Sequence, residues 1–448
     1  MYKIFIVVLL SCYTGFAQYS ISGKIDPSED ISWILLFKIE NGEEVYLNNS
    51  EVNNGEFNFK IPETEKPGIL RAYYDIEQRQ FVEFLYNKEN VAFHFDPNSP
   101  MQSIDYITSR ENEIYRNYYT EIYAKQKRLD TIQIAYFSNE DKKVGGNLEK
   151  EYKKNLAELK GLQSKYENLS QNTLAYHFIK ASAQYNAPAP IKIPNEYLSE
   201  AKKHFFDALD FKDETLKNST FLSDRMIDYV FYLNQAENAL TANDLQLQAI
   251  RDIEVKIQND NALKARFYQN LITEYLARDN AVMAQNVLEK YEQLPAEDQN
   301  KAFLSKIKNE LKTAVGSQAP EIIWKENEIE KSLSELNGFD YYVIAFFSST
   351  CSHCQEEMPI FHDYILGINN LKVIAIGLED ESSFASYDEM TEKFPEFINI
   401  METEKWDSKL VRSYGISAVP SFYVLDNEKT IIAKPDDIEE IMRLFGAD

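Results

Sequence analysis

The chain has 448 residues, 44% of them hydrophobic, and its 72 acidic against 47 basic residues give a formal net charge of -25. That length exceeds one core of ordinary size and implies two or three domains, while the acidity excludes a broad nucleic-acid interface, which needs clustered Lys and Arg to neutralise phosphate. Of three cysteines, Cys12 falls in a leader, so the body holds only Cys351 and Cys354, too few for a disulfide-stapled scaffold and better suited to working chemistry.

Residues 1–17 read as a secretory signal: Lys3 supplies the positive start, Ile4 to Leu10 the apolar core, and Gly15-Phe16-Ala17 a small-x-small cleavage site before Gln18. The apolar run is far short of the ~20 residues a spanning helix needs. Leu9-Leu10-Ser11-Cys12 offers a different ending, similar to a bacterial lipobox, which would lipidate Cys12 and anchor the protein to a membrane. Either ending places the protein in the periplasm or cell envelope.

Residues 18–102 are expected to form a β domain, an antiparallel sandwich-like fold. Strands are expected over Tyr19–Ile25, Trp33–Ile39, Glu44–Leu47, Glu56–Ile61, Ile69–Tyr74, Phe81–Tyr86 and Val91–Phe95. Phe57, Phe59 and Ile61 alternate with polar residues, the period-2 pattern of a sheet with one buried face. Asn41-Gly42 and Asn54-Gly55 are hairpin-turn dipeptides. Residues 103–313 are expected to be all-α. Leu162–Tyr185, Glu196–Phe211, Thr220–Ala239 and Asn261–Ala277 lack both Gly and Pro and carry apolar residues at helical spacing, as in Met226, Tyr229, Val230 and Leu233. No fixed repeat period argues for a solenoid. His94, His177 and His204 sit without paired metal-ligand spacing and are given no function.

Residues 314–448 alternate β and α. Strands are expected at Tyr342–Phe347, Leu371–Leu378, Phe397–Met401, Ser421–Leu425 and Thr430–Ala433, with helices at Cys351–Leu366, Ser382–Lys393, Ser408–Tyr414 and Asp436–Phe445. Continuous apolar strands such as Val373-Ile374-Ala375-Ile376 suit a sheet covered on both faces. Cys351-Ser352-His353-Cys354 stands at a strand-to-helix corner, Pro359 five residues further on, and Val419-Pro420 just before a strand.

These features, with Gly316-Ser317-Gln318-Ala319-Pro320 at the entry, resemble the thioredoxin superfamily, and within it the TlpA/ResA-like envelope thiol–disulfide oxidoreductases. The resemblance covers about one third of the chain, and residues 18–102 resemble an N-terminal β domain of unknown function found ahead of such domains. It implies a C-terminal α/β thioredoxin-like fold in a multidomain α+β protein. It also implies that Cys351 attacks and Cys354 resolves, that Pro359 bends the helix, and that Val419 and the cis-proline Pro420 face the cysteines and bind substrate. A helix N-terminus favours a thiolate there. No metal or organic cofactor is expected, the working group being a Cys351–Cys354 disulfide; zinc would need two more ligands.

Two departures from the family pattern matter. The buried Asp that thioredoxins place six residues before the first cysteine is Ala345 here, and the usual Trp is Thr350. Glu357, three residues after Cys354 where ResA-like reductases carry a functional Glu, is the expected substitute for shuttling a proton. Ser352 and His353 lie between the cysteines and tune the site; His353 resembles the C-x-H-C of the oxidase DsbA, against the reductase direction implied by the rest. His362, further along the helix, is expected at the surface. The reading is an exported reductase of protein disulfides, re-reduced by a membrane electron-transfer partner, with homo-oligomer formation left open. Its rivals are an envelope scaffold with an accessory thioredoxin domain and a peroxiredoxin-like peroxidase, whose P-x-x-x-T-x-x-C spacing this chain lacks, since Thr350 abuts Cys351.

Overall fold

The structure, a computed structural model, describes residues 18–28 and 31–446. The leader expected over residues 1–17, Cys12 included, lies outside the described residues. The chain divides into two compact units, Met1–Asn259 and Asp260–Asp448.

The first unit begins with strands β1 (Gln18–Ile25), β2 (Trp33–Glu40), β3 (Glu43–Glu51), β4 (Glu56–Pro62), β5 (Gly68–Asp75), β6 (Gln80–Tyr86) and β7 (Val91–Phe95). A short helix α1 (Pro100–Ser103) leads to β8 (Asp105–Thr108). They form two four-stranded sheets, ordered β4-β1-β7-β8 and β3-β2-β5-β6. Alternation decides what meets between them: Phe57, Phe59 and Ile61 of β4 point inward while Glu56, Asn58 and Lys60 face water. Phe93 and Phe95 from one sheet share a core with Leu36, Leu70 and Phe84 from the other, making a sandwich. One pairing departs from the antiparallel expectation. β1 runs parallel to β7, with Ile21 opposite Val91, because it is inserted between β4 and β7 rather than joined to either by a hairpin. Asn54 and Gly55 both take positive φ, and a Cβ on Gly55 would lie 2.5 Å from the Ile25 carbonyl oxygen, so only Gly fits that turn.

Helices α2 (Arg110–Ser138), α3 (Lys142–Leu169), α4 (Leu174–Ala181), α5 (Pro194–His204), α6 (Glu214–Lys217), α7 (Phe221–Phe231) and α8 (Ala239–Lys256) follow. Buried Asn112 ties α2 to β6 at both ends of one residue: the Leu85 N–H donates to Asn112 Oδ1, and Asn112 Nδ2 donates to the Leu85 carbonyl, each at 2.8 Å. The continuous helix expected over Leu162–Tyr185 is broken. The Ser170 hydroxyl turns back to the Tyr166 carbonyl at 2.7 Å, Asn172 takes φ 66° and Thr173 starts α4; short polar side chains compete there with the helical ladder. The helix expected to reach Phe211 stops at His204. The one expected to reach Ala239 stops at Phe231, and Asn238 caps a new helix by accepting from the N–H groups of Leu240 and Thr241.

The second unit opens with α9 (Asn261–Leu276), α10 (Ala281–Glu292) and α11 (Lys301–Lys312). A hairpin of β9 (Ile323–Glu326) and β10 (Ile329–Ser332), absent from the expectation, turns through Asn327 and Glu328, both at positive φ. Then come β11 (Tyr341–Phe347), α12 (Ser352–Ile365), β12 (Leu371–Leu378), α13 (Phe384–Thr391), β13 (Ile398–Glu402), α14 (Lys409–Tyr414), β14 (Ser421–Asp426), β15 (Ile431–Ala433) and α15 (Ile438–Leu444). The five strands order as β13-β12-β11-β14-β15, the first three parallel and the last two antiparallel. Both faces are covered. Val343, Ala345 and Phe347 pack with Cys354, Met358 and Phe361 of α12 on one side. Tyr342, Ile344 and Phe346 pack with Val411 and Tyr414 of α14 on the other. The entry segment lies along β15, with the Gly316 N–H donating to the Ile431 carbonyl at 2.7 Å. Because β11, β12 and β13 are parallel, their carboxyl ends share one edge of the sheet, the edge where α/β folds place their chemistry.

Candidate active site

β11 delivers its chain to that edge and stops at Phe347. The corner Ser348-Ser349-Thr350 closes with the Cys351 N–H donating to the Ser348 carbonyl at 3.2 Å. Cys351 keeps extended backbone angles and N-caps α12, its carbonyl accepting from the Gln355 N–H at 3.0 Å. This places Cys351 at a helix start, half-buried, with Cys354 one turn deeper and fully buried; both are free thiols. Unpaired N–H groups of a first turn attract negative charge.

The Cys351 thiol donates to the carbonyl of Val419 at 3.7 Å, and the Val419–Pro420 peptide is cis. The loop carrying it follows Gly415, which ends α14 in the left-handed region, and precedes β14, the antiparallel neighbour of β11. Strand order thus brings residues 351 and 419 together across the sheet edge.

Cys354 behaves differently from Cys351. Its thiol is pushed up to about 12, mainly by burial; a hydrogen bond to the Ser348 backbone opposes this, while Cys351 and the charge of Glu357 add to it. Glu357 therefore sits within electrostatic reach of the thiol. One of its oxygens, Oε1, lies 3.8 Å from His353 Nδ1. The other, Oε2, is buried and has no hydrogen-bond partner among the described residues. Ser352 and His353 are exposed on the first turn. Ala345, on the same face of β11 as the cysteine-bearing helix, is fully buried and offers no proton acceptor. Pro359 lies inside α12 and removes the N–H that would bond the Gln355 carbonyl.

His362 is not a surface residue. Its side chain is only 12% exposed, packs against Phe394 and Phe397, and sits with Nε2 3.0 Å from Glu396. The hydrogen bond from His362 holds the Glu396 carboxyl below its ordinary value. Ring packing and the hydrogen bond to Glu396 together draw in a helical position that spacing alone leaves outside.

Two further side chains bear on the site. Gln355 Nε2 donates to the Ser349 carbonyl at 2.7 Å, and the Ser349 N–H donates to Glu379 Oε1 at 2.6 Å. Glu379 is fully buried and directly follows β12. A signal existed in the sequence: an acidic residue immediately after a continuous apolar strand stands at the carboxyl edge of a parallel sheet. Among the described residues, no three His, Cys, Asp or Glu side chains gather as a metal site.

Residues 315–434 match the model of the AhpC/TSA family. A search of curated proteins finds no match. Among solved structures, the chain is similar to a thioredoxin-like protein from Bacteroides caccae, at 20% identity over 59% of this chain and 97% of that one, with a TM-score of 0.40. It is also similar to the thioredoxin domain of a thiol-disulfide oxidoreductase from Bacteroides vulgatus, at 18% identity over 30% of this chain and 99% of that one, TM-score 0.26. A third is a thiol:disulfide interchange protein from a Bacteroides species, at 21% identity over 30% and 93%, TM-score 0.26. The AhpC/TSA match over residues 315–434, the order of the five strands, and the cysteine pair at the β11–α12 corner facing Val419 agree on a C-terminal domain of thioredoxin-like fold, preceded by an additional N-terminal region.

Proposed function

We propose that the protein is a thiol–disulfide oxidoreductase that reduces disulfides of other proteins in the cell envelope. The single observation that carries this is the asymmetry of the pair: Cys351 accessible at a helix start beside Val419, Cys354 buried and held protonated one turn below. As a thiolate, Cys351 attacks one sulfur of a client disulfide; the Cys351–client bond forms and the client S–S bond breaks, releasing one client thiolate. Cys354 then gives up its proton and attacks Cys351 Sγ, closing the Cys351–Cys354 disulfide and releasing the second client thiolate. The client gains two electrons and two protons; the dithiol loses them. Glu357 is the group within reach to receive the Cys354 proton. The Val419 carbonyl, which the Cys351 thiol occupies at rest, is a backbone acceptor for an extended client segment alongside Pro420.

Turnover requires a dithiol reductant, in this reading a membrane electron-transfer partner, and no other cofactor. A leader over residues 1–17, with or without lipidation of Cys12, would deliver the domain to that compartment. The test is a Cys354→Ser trap. Mixed disulfides recovered through Cys351 identify the clients; an empty trap, with no loss when Cys351→Ser is added, sinks the proposal. Direction is tested by the potential of the pair, expected nearer the about -270 mV of thioredoxin than the about -120 mV of DsbA. Rapid consumption of peroxide would favour the peroxidase reading instead.

A further inference from the structure

Glu379 is a fully buried carboxyl group in the thioredoxin-like domain that the exchange chemistry does not use. It makes no salt bridge among the described residues, and its Oε2 atom is buried without a hydrogen-bond partner there. Burying such a group with one bond is costly, so its retention calls for a use. That one bond goes to Ser349, two residues before the nucleophile: the Ser349 N–H donates to Oε1 at 2.6 Å.

The geometry around it is a clamp. β11 and β12 run parallel with Phe347 opposite Gly377, so Ser349 and Glu379 continue the two strands side by side past the end of the ladder. The Ser349 carbonyl is held from the other side by Gln355 Nε2 at 2.7 Å, and the Gln355 N–H in turn holds the Cys351 carbonyl at 3.0 Å. The backbone at residue 349 is thus fixed at both its donor and its acceptor, and the fixing runs into the residue that bears the thiol. Position around Glu379 is secured by Tyr387, whose ring fills the space above Gly377 and stacks on Phe347. The Tyr387 hydroxyl is pushed upward by burial first and by the Glu379 charge next, which places the two groups near each other.

We propose that Glu379 is a positioning residue of the redox site, holding the Ser348–Thr350 corner through the Ser349 N–H so that Cys351 stays at the head of α12 against the Val419 carbonyl. This rests on the thiol–disulfide reading above. Misplacing a reacting group by about 1 Å costs up to about 10²-fold in rate, so partial release of the corner is expected to cost about tenfold.

The test uses the full chain with Glu379→Ala and Glu379→Gln. Glu379→Gln keeps an oxygen for the Ser349 N–H; Glu379→Ala does not. In insulin reduction with dithiothreitol recycling, Glu379→Ala is expected to lower kcat about tenfold with KM within about twofold, since residue 379 does not touch the client, and Glu379→Gln to recover to within about threefold. Alkylation of Cys351 by iodoacetamide, located by mass spectrometry, is read in parallel and does not depend on what the protein reduces. Slow alkylation in Glu379→Ala, restored in Glu379→Gln, supports the clamp. If the parent protein reduces no insulin, the functional reading fails while the alkylation series still decides the role of Glu379. Parent-like alkylation in folded Glu379→Ala, or a Glu379→Gln as slow as Glu379→Ala, overturns the clamp. Should Glu379→Ala not fold, Gln355→Met cuts the same clamp from its exposed side, and an unchanged alkylation rate there overturns it equally.

Discussion

Glu357 and Cys354 lie one helical turn apart on α12, and the carboxylate charge is one of the forces that keeps the thiol protonated. The same carboxylate is the group proposed above to take the proton away. These effects oppose each other in a way that mutation separates.

With the Cys354 thiol near 12, only about one molecule in 10⁵ is a thiolate at pH 7. Removing a general base typically loses 10²-fold or more, so Glu357→Gln is expected to slow closure of the Cys351–Cys354 disulfide by about 10²-fold at neutral pH. Losing the charge also lowers the Cys354 value, so the deficit should shrink or invert in alkali. Stopped-flow resolution of a preformed mixed disulfide across pH checks this. A pH profile parallel to the parent would remove Glu357 from the chemistry.

Stability should carry the same signature. Between the ordinary thiol value of 9.0 and the folded value of about 12, the folded state retains a proton that the unfolded state has released. The contribution of this thiol is therefore complete below pH 9 and is lost as pH rises toward 12. Thermal melts of the reduced protein, referred to the oxidised protein in which the thiol is gone, should lose relative Tm above about pH 9. A reduced-minus-oxidised difference that stays flat into alkali contradicts the buried protonated thiol.

Gly377 tests the packing beneath the site. A Cβ there would meet the Tyr387 ring at 2.4 Å, and that ring cannot retreat because it stacks on Phe347 at 13°. Gly377→Ala should destabilise by about 1–3 kcal/mol, the usual cost of overpacking, measured by urea unfolding with a near-ultraviolet probe.

In the first unit, Asn112→Ala removes both partners of the Leu85 backbone at once. Two buried backbone groups left unpaired cost about 1–3 kcal/mol each, so a loss of about 2–6 kcal/mol is expected, with faster hydrogen exchange at Leu85. A change below about 0.5 kcal/mol would mean water reaches both groups.

The redox corner was legible because its parts are local: an apolar strand, two cysteines one turn apart, and Val-Pro before the next strand are each readable without knowing what they touch. The residues that escaped are defined by partners distant in sequence. Glu379 matters through Ser349, thirty positions earlier. His362 is covered by Phe394 and Phe397 of a later loop. The β9–β10 hairpin turns on Asn327-Glu328, where neither residue is the glycine that usually announces such a turn. The break after Leu169 lies in a run of polar residues whose hydroxyl groups outcompete a ladder that apolar spacing alone would continue.

The parallel seam between β1 and β7 also sets an order of events. Ile21 finds Val91 only after about seventy intervening residues exist, and β1 meanwhile has β4 as its sole antiparallel partner. Long-range closure of this kind is entropically late. β1, the first of the described strands in chain order, is thus among the last of them to be fully seated, and until β7 arrives the Ile21 strand presents an open hydrogen-bonding edge to any neighbouring chain.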